Sequence, residues 1–83
     1  MSVLIDPPTF AWRGRLWSHL VSDESYEELH EFASMLGLAR ERFQRDHYDV
    51  PEALYERAVA LGALEVSSKA LVKRLLESGL RRR

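Results

Sequence analysis

His47, Tyr48 and Asp49 form the densest run of chemistry-bearing side chains in the sequence. Alternate residues of an extended segment point the same way, so a His-X-Asp triplet can offer two ligands to one ion. Imidazole and carboxylate suit zinc, manganese or iron. His19 lies inside the apolar run Leu16 to Val21, and Asp6 ends another, Val3 to Ile5. If a sheet brings strand ends together, Asp6, His19, His47 and Asp49 converge, since sites gather at strand ends and the loops beyond them. The chemistry expected there is a divalent metal held by His19, His47 and Asp49, with Asp6 as a further ligand or a water-orienting base. Such an ion would activate water for hydrolysis, for example of a phosphodiester. A metal-free alternative is a general acid–base pair in which Asp49 orients His47. Asp23, His30 and Tyr48 are further polar candidates. No His-Glu-X-X-His or His-X-His signature is present. No nucleophile stands out, because Ser18 and His19 are adjacent and would face opposite sides of a strand.

Each of these residues also has a purely structural reading. Asp49 has capping-box spacing to Glu52 ahead of a helix with Pro51 in its first turn. Asp23 can cap the preceding helix, and Asp6 can bind the turn at Pro7-Pro8. His19 can be a hydrogen-bonded interior residue and His30 a boundary one.

A second class of function is written in Phe10-Ala11-Trp12-Arg13-Gly14-Arg15-Leu16-Trp17. Aromatics interleaved with arginines are the parts that stack bases and neutralise phosphates. In that reading Trp12, Arg13 and Arg15 act with the basic end Arg81, Arg82 and Arg83. The structural reading makes Trp12 and Trp17 core plugs. A third class is an interaction module. The acidic stripe Asp23, Glu24, Glu27, Glu28 and Glu31 would meet the basic tail of another copy, giving a homo-oligomer.

The elements that must position these residues follow from pattern. Val3-Leu4-Ile5 reads as a buried strand stopped by two prolines, and residues 7 to 15 as a loop. Leu16 to Val21 is a second strand. Ser22 or Asp23 opens a helix that places Tyr26, Leu29, Phe32, Ala33 and Leu36 on one face and ends at Gly37. A short helical piece, Arg40 to Arg45, is anchored by Phe43. The next helix runs to about Leu61, burying Leu54, Ala58 and Leu61. Leu64-Glu65-Val66 is a third strand. Ser67 caps a last helix carrying Leu71, Val72, Leu75 and Leu76, which Gly79 ends. About ten residues join the first two strands, too few for a parallel crossover, so they are expected antiparallel. The expected architecture is α/β (α+β), a small three-stranded mixed sheet packed with three to four helices.

Composition narrows the field further. Eighty-three residues suit one domain, with residues 79 to 83 as a basic tail. There is no cysteine, which excludes a disulfide scaffold, a thiolate metal site and a thiol nucleophile. The net charge is −1, but −6 on residues 1–68 precedes +5 on residues 69–83. No apolar run approaches the roughly 18–20 residues of a membrane span, and no signal peptide is visible, so the cytoplasm is the expected location.

An ordered set of residues then carries a resemblance. Trp17-Ser18-His19-Leu20, Ser22-Asp23, Glu28-Leu29-His30, Phe32-Ala33, Leu36-Gly37, Arg40, Phe43-Gln44, His47-Tyr48-Asp49, Gly62-Ala63 and Val66-Ser67 occur in sequence. From Val3 to about Leu76 the chain resembles the short bacterial and phage proteins grouped as domain of unknown function 4031. The resemblance implies a self-contained small domain and adds weight to His19, Asp23, His30, His47, Tyr48 and Asp49. It implies no particular reaction. Where phage members tend to end the first strand in two acids, this chain has Asp6-Pro7.

Overall fold

The computed structural model describes residues 2–81. Its elements in chain order are β1 (Val3–Ile5), β2 (Phe10–Trp12), β3 (Arg15–Ser22), α1 (Tyr26–Leu36), β4 (Phe43–Gln44), β5 (His47–Pro51), α2 (Tyr55–Ala60), β6 (Leu64–Glu65) and α3 (Ser68–Ser78). Single 3₁₀ turns, Arg40–Arg42 and Glu52–Leu54, precede β4 and α2. The class is α+β, with three α-helices and a six-stranded mixed sheet.

β3 is the spine of the sheet. Leu20 has Ile5 on one side and Tyr48 on the other, and Trp17 has Phe10 and Pro51. β1 and β2 therefore share one edge of β3 and are a single strand interrupted at Asp6-Pro7-Pro8-Thr9. The interruption has a chemical cause, because Pro7 and Pro8 have no N–H to give to a ladder. β5 takes the opposite edge of β3, and β4 pairs with β5 outside it. β6 lies parallel to β1 on the far side, with Leu4 opposite Leu64.

Because strand residues alternate, the register sorts side chains onto two faces. Val3, Ile5, Leu20, Tyr48 and Val50 face α1 and α2 and pack with Leu29, Phe32, Ala33, Leu36 and Ala58. Leu4 and Val21 face the other way, against Leu71 and Leu75 of α3. Full burial of a Leu, Ile or Val side chain contributes about 1.5–3 kcal/mol, so these two clusters hold the helices to the sheet. Leu71 and Leu75 are one turn apart and pack on Leu4 and Val21 of this second face. Trp17, His19, His47 and Asp49 share that face by register, and Leu71 and Val72 of α3 help to wall a recess beside His19 and His47.

Several expectations need correction. The sheet has six strands and not three: residues 10–12, 43–44 and 47–51, expected as loop or helix, are the strands β2, β4 and β5. Residues 10–12 form a strand closed by a two-residue turn, Arg13-Gly14, both with positive φ (51° and 75°). That is the geometry favoured for two-residue hairpins. His47–Pro51 is strand and not a helix entry, so Asp49 caps nothing, and α2 begins at Tyr55. Residues 43–44 are likewise strand, not the end of a helical piece. α1 is capped by Ser25, whose side chain accepts the Glu28 N–H. Asp23 instead accepts the Ser2 N–H and pairs with Arg74 of α3. Leu61 is exposed, not buried. The antiparallel pairing of β1 with β3 and the glycine ends of α1 and α3 are as expected. Among the described residues no helix is long and apolar enough to cross a membrane.

Candidate metal centre

The register builds the site directly. His19 of β3 and Asp49 of β5 are cross-strand partners, and His47 lies two residues before Asp49 on the same face. One ligand atom from each of His19, His47 and Asp49 falls within 4.8 Å of the others. The two imidazoles meet edge to face, centroids 5.4 Å apart.

Each histidine is fixed by a carboxylate on its far side. His19 Nδ1 lies 2.9 Å from Asp6 Oδ2, and His47 Nδ1 lies 3.0 Å from Asp46 Oδ1. In both rings Nδ1 is thereby occupied and Nε2 is left for the centre. His47 Nε2 is 3.3 Å from Asp49 Oδ1. That oxygen is buried and has no hydrogen-bond partner, the imidazole being poorly aligned to it. An unsatisfied buried carboxylate oxygen is costly unless something pairs with it. Donors about 2.1 Å from a tetrahedral zinc lie roughly 3.4 Å apart, a spacing near that of these three.

The carboxylates are themselves held from neighbouring elements. Asp6 sits where the strand is interrupted. Its N–H still reaches the His19 carbonyl, but no strand carbonyl remains for the His19 N–H, and Asp6 Oδ1 accepts it at 2.6 Å. Asp6 Oδ2 also accepts from Ser68 Oγ, at the start of α3, at 2.7 Å. Asp46, in the β4–β5 turn, takes the Arg81 guanidinium at 2.8 and 3.2 Å. A recess of about 100 Å³ between the sheet and α3 opens onto the histidines, lined by Asp6, His19, His47, Ser68, Val72 and Arg81.

Electrostatics agree with this arrangement. The Asp6 contact raises the His19 ring above its ordinary pKa, against the opposing effect of burial. Burial pushes Asp6 up, but the hydrogen bonds from His19 and Ser68 outweigh it and leave the carboxyl below its ordinary value. Burial likewise pushes Asp46 up, and Arg81 and His47 bring it below the usual range. Anionic partners at Nδ1 raise the basicity of an imidazole ligand.

The remaining candidates lie elsewhere or act differently. Asp6, expected as a ligand or water-orienting base, has both oxygens engaged and serves to hold His19. His30 and Tyr48 meet each other, Nδ1 to hydroxyl at 2.7 Å, on the α1 side of the sheet away from His47. Asp23 accepts the Ser2 N–H and pairs with Arg74 of α3, away from the histidines' carboxylates. Ser18 is buried on the α1 side, apart from His19. Trp17 is the expected core plug at 5% exposure, whereas Trp12 stands 45% exposed. Arg81 is paired with Asp46, and Arg82 and Arg83 lie outside the described residues. Sequence reasoning missed Asp46 and Ser68, and placed Phe10 only in the aromatic–arginine stretch, whereas its ring stacks on His19 at 5.6 Å. Asp46 carries no signal beyond adjacency to His47, and Ser68 reaches Asp6 across 62 positions.

A family model described as "Protein of unknown function (DUF4031)" matches residues 3–78. No curated protein and no solved structure matches the chain. With nearly the whole chain covered and the His19, His47 and Asp49 positions inside the match, the chain belongs to the DUF4031 family.

Proposed function

We propose that this protein binds one divalent transition-metal ion through His19, His47 and Asp49 and uses it to activate water for hydrolysis. One observation carries the reading: two imidazoles, each tied at Nδ1 to its own carboxylate, converge on a buried Asp49 oxygen that has no hydrogen-bond partner. Carboxylate–histidine pairs of this kind orient metal ligands and fix their tautomer. Two nitrogens and one carboxylate oxygen suit zinc, manganese or iron and leave coordination positions for water and substrate. A bound ion lowers the pKa of its water and stabilises charge that develops on the substrate oxygen. Arg81, paired with Asp46 at the rim of the recess, adds a fixed cation beside that position.

Metal stoichiometry tests this. Chelator-stripped protein is expected to take up one Zn²⁺ or Mn²⁺ per chain by equilibrium dialysis. His19→Ala, His47→Ala and Asp49→Ala should each abolish uptake, and Asp6→Asn should weaken it by about 10–100-fold. Uptake unchanged in all three ligand variants would contradict the proposal.

A further inference from the structure

The same face of the sheet continues past the metal centre into a surface of different composition. The register sets Phe10 and Trp17 opposite each other and Trp12 opposite Arg15, so all four share the face of His19 and Asp49. Phe10 and Trp12 are 42% and 45% exposed, unusual for large aromatics in a domain this small. The Trp12 and Trp17 rings are 5.8 Å apart. Three guanidiniums lie over them: Arg13 at 4.6 Å from the Trp12 ring, and Arg15 and Arg42 at 5.9 and 5.8 Å from the Trp17 ring. Among the described residues none of the three has a carboxylate partner. A cleft of about 210 Å³ runs between Trp12, Trp17, Arg42 and Gln44 and has Asp49, the metal-centre carboxylate, as part of its wall.

The hairpin turn adds a separate indication. Arg13 holds φ 51° at the first central position of a two-residue turn, where Asn, Asp or Gly is favoured. The local contact an arginine makes there is the one with the Trp12 ring. Its guanidinium extends the aromatic surface with positive charge.

We infer that this surface binds single-stranded nucleic acid, stacking bases on Trp12 and Phe10 and carrying phosphates past Arg13, Arg15 and Arg42 toward the metal centre. The inference rests on the metal reading and names its substrate class, a phosphodiester of a single strand. Stacking platforms flanked by unpaired cations fit unstacked bases, which every single strand offers and duplex withholds. Glu41 also lines the cleft and Asp49 adds a second negative charge. A divalent ion at Asp49 offsets the latter, so metal should strengthen binding of the polyanion without being required for stacking.

The test uses the full chain and a fluorescently labelled oligothymidylate of about 12 nucleotides, followed by anisotropy at about 50 mM salt in chelator and again with Mn²⁺. Saturable binding is expected in both, tighter with metal. Trp12→Ala should weaken it about tenfold or more. Arg13→Asn, which suits the turn and keeps the fold, should weaken it and reduce its salt dependence. His47→Ala should retain binding in chelator, so loss of the metal reading alone leaves this result standing. Absence of saturable binding, unchanged affinity in both hairpin variants, or equal competition by inorganic polyphosphate, which has no bases, would overturn the inference.

Discussion

Asp6 stands in for a missing strand at His19: one carboxylate oxygen accepts the backbone N–H at 2.6 Å while the other holds the imidazole Nδ1 at 2.9 Å. Pro7 and Pro8 force the gap that the carboxylate fills, so local chain chemistry and the orientation of a candidate ligand are the same feature. Asp6 is only 2% exposed.

Asp6→Asn keeps the size but puts an amide NH₂ where acceptors are needed. It is expected to destabilise the metal-free protein by about 1–3 kcal/mol. In a domain of this size that lowers the melting midpoint by roughly 4–8 °C per kcal/mol. The pH dependence has a definite sign. The Asp6 contribution is present above its unfolded pKa of 3.8 and is lost as pH falls through its lowered folded value. The His19 contribution is present below 6.5 and is lost as pH rises through its raised folded value. The difference between wild type and Asp6→Asn in thermal melts should therefore peak between these limits. A difference that keeps growing above about pH 8 contradicts this account.

His30 titrates in the opposite sense on the other face of the sheet. Burial first, and then Arg40, depress its pKa below 6.5. Its ring packs edge-on to Phe43 at 4.6 Å and bonds the Tyr48 hydroxyl. A group with a depressed folded pKa gives stability that is present above 6.5 and is lost as pH falls toward the lowered value. Urea midpoints of wild type and His30→Asn should therefore lie further apart at about pH 7.5 than at about pH 5. An equal gap at both would mean that folding leaves the His30 pKa unshifted, and would contradict this account.

Ser18 is fully buried opposite Val50, and its hydroxyl has no hydrogen-bond partner. Removing an unsatisfied hydroxyl from an apolar setting is neutral or favourable, so Ser18→Ala should gain up to about 1 kcal/mol. Denaturant unfolding reads this directly. A loss larger than about 1 kcal/mol would mean that Ser18 satisfies a buried water.

The elements visible in the sequence were those with strong periodicity and glycine stops. Leu29, Phe32, Ala33 and Leu36 recur at helical spacing and all are buried. β1 and β3 were legible as apolar runs. β5 was not, because Pro51 and the Asp49–Glu52 spacing imitate a helix entry. Its own signal is the alternation of His47 and Asp49 with buried Tyr48 and Val50, only two repeats long. β2 was hidden because all three of its residues are exposed, and an edge strand without a buried face has no hydrophobic pattern. Within the candidate site, His19, His47 and Asp49 were legible by residue type. Their convergence depends on β3–β5 register, which is a tertiary property. The Asp6–His19 and Asp46–Arg81 pairs span 13 and 35 positions, and no local pattern encodes them.

The central claim is a metal held by His19, His47 and Asp49, and a thermal melt of chelator-stripped protein with and without Zn²⁺, Mn²⁺ and Ni²⁺ tests it most directly. A ligand at 100 times its Kd stabilises by about 2.7 kcal/mol, and each kcal/mol moves the midpoint by roughly 4–8 °C here. The account predicts a rise of about ten degrees or more with at least one of these ions, absent in His47→Ala. A midpoint that no ion moves, or a rise that persists in His47→Ala, would contradict it.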